Sequence, residues 1–352
     1  MEIVMPYKIA LYPGDGIGPE VVAEAAKVID ACNIDVHYTT FNWNTTLYNK
    51  TGKCAPENYL ELLSSFDAIL LGALGNTHNA PDHIAVEPLL TIRKAFDQYV
   101  NIRPAMLFPG VESPLKNKKP YDIDMIVIRE NTEGEYTALG GRHYIGTPDE
   151  VAMQINYFSR KGTERIIRYA FETARNRKRK TLTSITKSNA LKYSMVFWDT
   201  VFYEVAKEYP DVIASSMLVD AAAMNMVRCP EQFDVVVASN LFGDILTDLA
   251  AIVVGGMGFA ASGNINPTRK YPSMFEPVHG SAPDIAGKGV ANPVAAILSG
   301  ALMLEFLGEH DAAQKIKSAV VNHLNDGTVK TPDRGGNATT ADVGTDIAQR
   351  IQ

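Results

Sequence analysis

The 352-residue sequence has few cysteines and no excess of positive charge. Its three cysteines, Cys32, Cys54 and Cys229, are odd in number and lack the spacing of a zinc site, which argues against a disulfide framework and for a reducing compartment. The 33 basic residues stand against 40 acidic ones, so a net charge of −7 gives no electrostatic footprint for nucleic acid. These absences exclude disulfide-rich secreted and nucleic-acid-binding proteins and favour the cytoplasm.

Membrane-spanning runs and a targeting segment are also lacking. No apolar run reaches the length that spans a membrane, and Met1 to Tyr7 leads into a predicted strand without the charge and cleavage pattern of a signal peptide. The basic run Arg175 to Lys180 lies between a predicted helix and a predicted strand. We therefore interpret it as a solvated helix end rather than a phosphate-binding tract.

What is present is the alternation of strand and helix patterns that is typical of α/β proteins. The length exceeds the usual size of one core, so two domains or one large α/β unit are expected. Strands are predicted at residues 7–12, 36–41, 68–72, 124–128, 181–185, 212–219 and 235–238. Helices are predicted at residues 21–32, 89–98, 163–174, 195–207, 293–307 and 311–324, of which 293–307 is apolar enough to be buried.

The pattern changes between Glu133 and Ser159. Glycines at 140, 141 and 146 interrupt it and residues 151–158 look extended, so we predict a protruding β arm at about residues 133–159. A two-stranded arm is marginally stable in water and would need a partner chain to complete its sheet. The alternative is a long hairpin that lies on its own domain.

Two aspartates follow the apolar run Phe233 to Asn240. Asp244 and Asp248 are four residues apart, so both side chains project from one face at the start of a helix. Two like charges at this spacing repel unless a cation lies between them, and oxygen ligands suit Mg²⁺ or Mn²⁺. The alternative is an N-cap followed by a solvated acidic face.

Three arginines lie in comparable positions. Arg93 is on a predicted helix, while Arg103 and Arg129 end predicted strands, where α/β proteins form their binding sites. Because a guanidinium group pairs bidentately with a carboxylate, three converging arginines would fit a small dicarboxylate. Taken singly, each is more often a surface arginine.

Three further residues have side chains that can transfer protons. Tyr136 follows a glycine in the loop after Arg129, and a hydroxyl beside cations can have a lowered pKa. Lys187 and Asp220 each end a predicted strand, and a lysine near a carboxylate and a metal can relay a proton. Surface placement or helix capping is the alternative for each.

Glycines at 14, 16 and 18 follow the first predicted strand and open a helix. Their spacing is not G-x-G-x-x-G, and no acidic residue clearly ends the second strand, so a Rossmann fold is not predicted. The glycines fit either a close approach of the backbone to a ligand or a tight structural turn.

The loop from Phe275 to Pro293 is rich in Gly, Pro and polar residues, as ligand-binding loops are. Within it, Asp284 could bind the two hydroxyls of an adenosine ribose and would repel a 2′-phosphate, which favours NAD over NADP. His279 lacks a neighbouring His or Cys, so its role as a metal ligand has little support.

Three segments of the sequence are, taken together, highly specific for one protein family. They are Gly14-Asp-Gly-Ile-Gly-Pro-Glu20, Asn240-Leu-Phe-Gly-Asp-Ile-Leu-Thr-Asp248 and Glu276-Pro-Val-His-Gly-Ser-Ala-Pro-Asp284. Over nearly the whole chain, the sequence resembles the metal-dependent β-decarboxylating dehydrogenases of 2-hydroxy acids, which include isopropylmalate, isocitrate, homoisocitrate and tartrate/D-malate dehydrogenases.

The resemblance implies an α/β, two-domain isopropylmalate-dehydrogenase-like fold that is not a Rossmann fold, in a homodimer that shares its active sites. The implied cofactor-binding domain comprises residues 1–98 and 256–352. The metal, substrate and dimerisation domain would comprise residues 99–255, including the arm.

The resemblance also implies roles for individual residues. The substrate carboxylates would be bound by Arg93, Arg103 and Arg129. A Mg²⁺ or Mn²⁺ ion would be held by Asp244, Asp248 and the partner's Asp220. NAD would be bound by His279, Gly280, Ala282, Asp284 and Asn292. Whether a monovalent cation such as K⁺ is required stays open.

The implied catalytic residues are Tyr136, Lys187 and Asp220. Lys187, from the other subunit, would take the proton of the substrate hydroxyl as hydride leaves C2. Tyr136 would protonate the enolate after CO₂ departs.

Substrate choice is implied by the segment before Arg93, where Val86, Leu89 and Leu90 would face the substrate. Isopropylmalate enzymes carry a glutamate at the position of Val86, and tartrate/D-malate enzymes commonly carry a tryptophan there. The motifs that look most like the tartrate/D-malate enzymes are Asn131-Thr-Glu-Gly-Glu-Tyr136, Leu139-Gly-Gly-Arg142 and Thr186-Lys-Ser-Asn189. They imply NAD-dependent oxidation, with decarboxylation, of D-malate or tartrate.

Two alternatives accompany this prediction. One is 3-isopropylmalate dehydrogenase of leucine biosynthesis, with Glu87 in the role of the missing glutamate. The other is a catalytically silent NAD-binding regulatory subunit. The presence of Tyr136, Lys187 and the three aspartates argues against a silent subunit, because it has no need of them.

Overall fold

The computed structural model describes residues 6–76 and 78–351. The expectation about a signal peptide concerns Met1 to Tyr7, of which residues 1–5 lie outside the described residues. The chain divides into two compact units, which comprise Met1–Gln98, Met106–Ile123 and Ala251–Gln352 in the first and Tyr99–Ala105 and Asp124–Ala250 in the second. The expected domains differ from these units, since residues 106–123 and 251–255 fall within the first unit.

The strands of the described residues are numbered β1 to β12. In chain order they are Tyr7–Gly14, Val36–Thr40, Ala68–Ala73, Val100–Met106, Asp124–Glu130, Gly140–His143, Val151–Gln154, Thr181–Thr186, Ile213–Leu218, Val235–Ala238, Ala261–Ile265 and Ser273–Pro277. The helices α1 to α12 are Gly18–Asp30, Thr45–Thr51, Tyr59–Leu63, Asp82–Ala85, Glu87–Ala95, Arg160–Arg175, Ser194–Ala206, Val219–Arg228, Asn240–Val253, Val294–Leu307, His310–Asp326 and Thr340–Gln349.

In the first unit the strands are ordered β2-β1-β3-β12-β11. β1 is parallel to β2 and β3, β12 is parallel to β3, and β11 is antiparallel to β12. The predicted burial of the apolar helix α10 is confirmed, because it packs against α1, α11 and β12 and most of its side chains are buried. A core of aliphatic side chains therefore supports the strand ends of this unit.

In the second unit the order is β4-β5-β10-β8-β9, with β10 parallel to β5 and β8, and β8 parallel to β9. Helices α6 and α7 pack on this sheet. Parallel strands place their carboxyl ends at one edge, so the residues after β5, β8 and β10 are neighbours in space. Arg129, Lys187 and the start of α9 are brought to that edge.

The segment predicted as an arm contains a β hairpin. β6 and β7 form a separate antiparallel two-stranded sheet, with Gly140 opposite Gln154 and His143 opposite Val151. All eight strand residues are exposed in the chain. The base of the arm is joined by an isolated bridge between Gly134 and Tyr157.

One strand boundary was predicted wrongly. The predicted strand 212–219 ends at Leu218, and Val219 begins α8. Asp220 therefore lies in the first turn of a helix rather than at a strand end. An acidic residue there interacts favourably with the helix dipole, which explains why the helix begins before the carboxylate.

The basic run 175–180 is not a solvated helix end throughout. Arg177 donates to Asp234 and to the carbonyl oxygen of Asp124, and Arg179 donates to the carbonyl oxygens of Asp124, Glu231 and Phe233. These two arginines bind the segments that lead into β5 and β10.

No helix of residues 6–76 and 78–351 is both long and apolar enough to cross a membrane.

Candidate active site

Asp244 and Asp248 project from the second and third turns of α9, which follows β10, as the sequence predicted. The Nη1 atom of Arg103 lies 3.4 Å from Asp244 Oδ1 and 3.9 Å from Asp248 Oδ1, so both carboxylates face one guanidinium group. The Asp244 side chain is 34% exposed and that of Asp248 is 61% exposed. Two carboxylates thus reach the surface at one point.

Arg129 is buried beside them. Its Nε and Nη2 atoms donate to Asn240 Oδ1 at 3.1 and 2.7 Å, and its Nη1 atom donates to Asp244. Asn240 therefore orients the guanidinium group so that Nη1 faces the carboxylate. The close fit also explains Gly243, because a Cβ atom there would lie 2.6 Å from Arg129 Cγ.

Arg103 is held in a similar way. Its Nη1 atom donates to Thr247 Oγ1 at 2.6 Å, and the Thr247 hydroxyl donates in turn to the carbonyl oxygen of Gly243 at 2.7 Å. Thr247 thus binds the arginine to the helix that carries the aspartates. Arg103 lies in the middle of β4 rather than at the predicted strand end, because the strand continues to Met106, whereas Arg129 lies next to the end of β5. Two strands and one helix therefore build this cluster.

Tyr136 completes the cluster. Its hydroxyl donates to Asp244 Oδ2 at 2.7 Å, and the Arg129 guanidinium carbon lies 5.3 Å from the centre of its ring. The expectation of a lowered pKa was wrong for this arrangement. Burial and the hydrogen bond to Asp244 raise the pKa of Tyr136 to about 12, and the nearby Arg129 and Arg103 only partly offset them.

Lys187, which follows β8, and Asp220, in the first turn of α8, form a second pair. Lys187 Nζ donates to Asp220 Oδ1 at 3.0 Å, and this hydrogen bond lowers the pKa of the Asp220 carboxyl group. Within the described part of the chain, no three His, Cys, Asp or Glu side chains are grouped as metal ligands. A single chain therefore brings Asp244 and Asp248 together without Asp220.

The Asp244 and Asp248 carboxylates fit a hard divalent cation. Carboxylate oxygens are the ligands that Mg²⁺ and Mn²⁺ prefer, and here two such groups converge at a partly exposed point. Partial burial, together with the charge of Asp244, raises the pKa of Asp248. A bound cation would offset the repulsion between the Asp244 and Asp248 carboxylates.

Arg93 lies in the first unit and has a different environment. It is buried on α5, and its Nη2 atom donates to Glu276 Oε1 at 2.6 Å. Asn264 Nδ2 donates to the same oxygen at 2.8 Å. Arg93 Nε has no hydrogen-bond partner among the described residues.

The segment predicted to choose the substrate joins α4 to α5. Val86 is half-buried between the two helices, and Glu87 is exposed at the first position of α5. Leu89 packs against a hydrophobic core that includes Ile92 and Phe96, while Leu90 is half-buried. Leu89 therefore contributes to the core of its unit.

The predicted cofactor residues lie in and after the loop that follows β12. His279 Nδ1 is 3.0 Å from the carbonyl oxygen of Gly280, whereas its buried Nε2 has no partner among the described residues. A Cβ at Gly280 would meet open space, and Asp284 is exposed. The unpartnered Nε2 atom leaves His279 with a hydrogen-bonding group for a ligand such as NAD.

The remaining predicted cofactor residues are Ala282 and Asn292. Ala282 has a φ of 41°, a conformation that is rare for a residue with a side chain. Asn292 Oδ1 accepts from the Val294 N–H, and its Nδ2 donates to Asp333 at 3.0 Å. Burial lowers the pKa of His279, which keeps its imidazole neutral.

The glycines at 14 and 16 form a tight structural turn. Both have positive φ angles, 73° and 59°, and a Cβ on either would overlap a backbone oxygen, that of Ala73 or of Ser281. Between them, Asp15 accepts from the backbone N–H of Thr45 and Gly75. Of the two interpretations, the structural turn accounts for these glycines.

Comparisons with known proteins agree with the motifs. A sequence profile of isocitrate/isopropylmalate dehydrogenase matches residues 8–347. The chain belongs to this family. It is 49% identical to an Escherichia coli protein named D-malate dehydrogenase [decarboxylating], over 98% of each chain. It is 47% identical to tartrate dehydrogenase/decarboxylase of Pseudomonas putida, again over 98% of each chain.

The family and fold predicted from the sequence are thereby confirmed. A crystal structure of isocitrate dehydrogenase from Methylococcus capsulatus superimposes with a TM-score of 0.89 at 41% identity, covering 98% of this chain and 99% of the other. The chain is therefore a dehydrogenase of this family, and both relatives are named as decarboxylating enzymes.

Four residues that shape the site were not singled out from the sequence. Asn240 and Thr247 orient the arginines, Glu276 pairs with Arg93, and Glu135 bonds to the start of α9. Asn240 and Glu276 begin two of the family motifs, which is a signal that could have identified them. Thr247 lies inside the motif that begins at Asn240, and Glu135 lies inside the segment Asn131 to Tyr136, so the same signal covers both.

Proposed function

We propose that the protein oxidises a small 2-hydroxy dicarboxylate, D-malate or tartrate, with NAD and with Mg²⁺ or Mn²⁺, and decarboxylates it in the case of D-malate to give pyruvate. The observation that carries the proposal is that five side chains converge beside α9. They are those of Asp244, Asp248, Arg103, Arg129 and Tyr136. Relatives at 47–49% identity that are named for D-malate and tartrate support the substrate class.

The residues of the cluster have distinct chemical roles in this proposal. Arg103 and Arg129 carry positive charge for the substrate carboxylates. Asp244 and Asp248 would hold a divalent cation, which would supply a Lewis acid for the C2 oxygen of the substrate. Because Arg129 donates two N–H groups to Asn240, its orientation is set before substrate binds.

Proton transfers are assigned to two residues. Lys187, contributed by the other subunit, would take the hydroxyl proton of the substrate, and NAD would supply the hydride acceptor. After CO₂ leaves, Tyr136 donates its proton to C3. The position of the Tyr136 hydroxyl supports this role, since it lies 2.7 Å from Asp244 Oδ2 in the cluster, and with its raised pKa the hydroxyl carries its proton at neutral pH.

The cofactor and the remaining substrate contacts are assigned to the first unit. We assign NAD to the loop with His279 and Asp284, and a substrate carboxylate to Arg93, whose Nε has no partner among the described residues. Val86 and Leu90 would contact the C3 substituent. Leu89, which packs in the core, would act through the shape of this segment.

A homodimer is the proposed assembly. The arm has apolar side chains that are 42–70% exposed, and exposed apolar patches of this kind mark interaction surfaces. They are Leu139, Tyr144, Ile145, Val151, Met153, Ile155 and Tyr157. The cytoplasm is the proposed compartment, because Cys32, Cys54 and Cys229 are unpaired in the chain.

The substrate proposal is tested by steady-state kinetics of the purified protein with D-malate, tartrate, 3-isopropylmalate and isocitrate, each with and without Mn²⁺. The expected result is metal-dependent NADH production with the greatest kcat/KM for D-malate or tartrate. A greatest kcat/KM for 3-isopropylmalate would replace the substrate assignment. Absence of NADH production with every substrate would favour the silent regulatory subunit.

The assembly is tested separately by sedimentation of wild type and of a variant with Ile145→Asp and Met153→Asp in the arm. We expect a dimer for wild type and a monomer with little activity for the variant. A wild-type monomer with full activity would overturn the shared-site assignment of Lys187.

A further inference from the structure

Glu135 lies next to Tyr136 in the loop after β5, and its carboxylate bonds to the start of α9. Oε2 accepts from the Leu241 N–H at 3.1 Å, and Oε1 accepts from the Ser239 hydroxyl at 3.3 Å. The first N–H groups of a helix lack partners within the helix, and a carboxylate there also interacts favourably with the helix dipole. The loop is thereby bonded to the end of α9 from which Asp244 projects.

A second contact fastens the same two segments. Asn240 Nδ2 donates to the carbonyl oxygen of Glu133 at 3.1 Å. Gly134, with a φ of 79°, packs so closely that an added Cβ would lie 3.2 Å from Asn240 Cβ. The backbone of the loop is therefore fixed on α9 just before Tyr136.

The neighbouring glutamates bond elsewhere. Glu130 accepts from the backbone N–H groups of Thr132 and Glu133 within its own loop, and Glu133 accepts from the N–H and hydroxyl of Ser159 before α6. Each carboxylate thus has a different task. The bonds of Glu135 are made to the helix that carries Asp244.

We infer that Glu135 is a positioning residue, which holds the Tyr136 hydroxyl at Asp244. A single peptide bond separates the anchored residue from Tyr136, and the Tyr136 hydroxyl lies 2.7 Å from Asp244 Oδ2. This inference rests on the proposed function, in which Tyr136 donates a proton to the substrate. Without the anchor, the loop would move relative to α9 and the hydroxyl would leave its position.

The test uses the full chain with Glu135→Ala and Glu135→Gln. Alanine removes both contacts, whereas glutamine can accept from the Leu241 N–H and donate to Ser239. We expect kcat for D-malate to fall about 10- to 100-fold in Glu135→Ala, since small displacements of a reacting group have effects of this size. Glu135→Gln should stay near wild type, and KM for NAD should not change in either.

A second readout does not depend on activity. Hydrogen exchange of the peptide that spans residues 239–244 should be faster in Glu135→Ala than in wild type and Glu135→Gln, because the Leu241 N–H loses its acceptor. Thr339→Ala serves as a control that removes the capping box of α12 in the first unit. It should lower the melting temperature and leave kcat and this exchange unchanged.

The outcomes separate the inference from the proposed function. Wild-type kcat and exchange in Glu135→Ala would overturn the positioning role, as would equal damage in Glu135→Gln. Full kcat in Tyr136→Phe would overturn the proton-donor role, while the exchange data would still report the anchor. If Glu135→Ala does not fold, Glu135→Asp, which is one methylene shorter, should show the same two changes to a smaller extent, and an unaltered Glu135→Asp would refute the anchor.

Discussion

Each unit contains a buried arginine paired with a carboxylate, but the two carboxylates differ in exposure. In the first unit, the Arg93 and Glu276 side chains are 6% and 8% exposed, and Asn264 also donates to the glutamate. In the second, Arg129 is 1% exposed, yet the Asp244 side chain is 34% exposed and Asp248 follows on the next turn. An enclosed carboxylate stabilises the fold, whereas one that reaches the surface beside a second carboxylate can bind a ligand.

Replacement at the exposed carboxylate should have the largest effect on activity. Asp248→Asn removes a proposed metal ligand that is mostly exposed and makes one long contact with Arg103. We expect kcat/KM for D-malate to fall at least about 10³-fold, since Lewis-acid stabilisation is worth several kcal/mol. The melting temperature should be close to wild type. If Asp248→Asn instead lost much of its stability and kept its turnover, the exposed carboxylate would stabilise the fold just as the enclosed one does, which would contradict the account.

Replacement at the enclosed carboxylate should chiefly affect stability. Glu276→Ala leaves the buried Arg93 charge without its acceptor, which typically costs about 3–5 kcal/mol. Urea unfolding followed by circular dichroism should show this loss in the free energy of unfolding.

The matched control is Glu208→Ala, which breaks an exposed ion pair with Arg168. Because an exposed pair contributes far less than a buried one, the free energy of unfolding of Glu208→Ala should stay close to that of wild type. If Glu276→Ala and Glu208→Ala unfold at the same urea concentration, the buried ion pair contributes no more to stability than the exposed one.

The proposed proton donor should show an intermediate effect. Tyr136→Phe removes the hydroxyl and its bond to Asp244 but keeps the ring beside Arg129. We expect kcat for D-malate to fall about 10²-fold, as is common when a general acid is lost. Steady-state kinetics should show KM for NAD unchanged, and an unchanged kcat would remove Tyr136 from the reaction.

The smallest expected effect is a pH dependence of stability in the first unit. His323 on α11 is buried, with Nδ1 2.6 Å from Asp346 Oδ2, and burial lowers its pKa despite this contact. Because the folded pKa lies below the unfolded value of about 6.5, the stabilisation is complete above pH ~6.5 and is lost as the pH falls through the folded pKa.

His323→Gln removes this titration. Between pH 8 and pH 5.5, the melting temperature of wild type should fall by about 2 °C more than that of the variant. Equal decreases in the two proteins would show that His323 does not contribute.

Much of the fold could be predicted because its signals are local. The alternation of short apolar runs with amphipathic segments located β10, α9 and the arm, and the spacing of Asp244 and Asp248 placed both on one helix face. Glycine spacing excluded a Rossmann fold, and the tight turn at Gly14 and Gly16 explains that spacing.

The rest depends on contacts between distant residues or on small local energies. The partner of Arg93 is 183 residues away, so no spacing reveals Glu276. The pKa of Tyr136 depends on whether burial and Asp244 outweigh the arginines, which requires the three-dimensional arrangement. The boundary between β9 and α8 depends on a single helical turn that begins before Asp220.

The most direct test of the central claim is Mn²⁺ binding, followed by electron paramagnetic resonance of the free ion, in wild type and Asp248→Asn with D-malate present. The account predicts saturable binding in wild type, strongly weakened binding in the variant, and NADH production from D-malate that parallels the bound metal. Equal binding in both proteins, or full NADH production after removal of metal with a chelator, would contradict it.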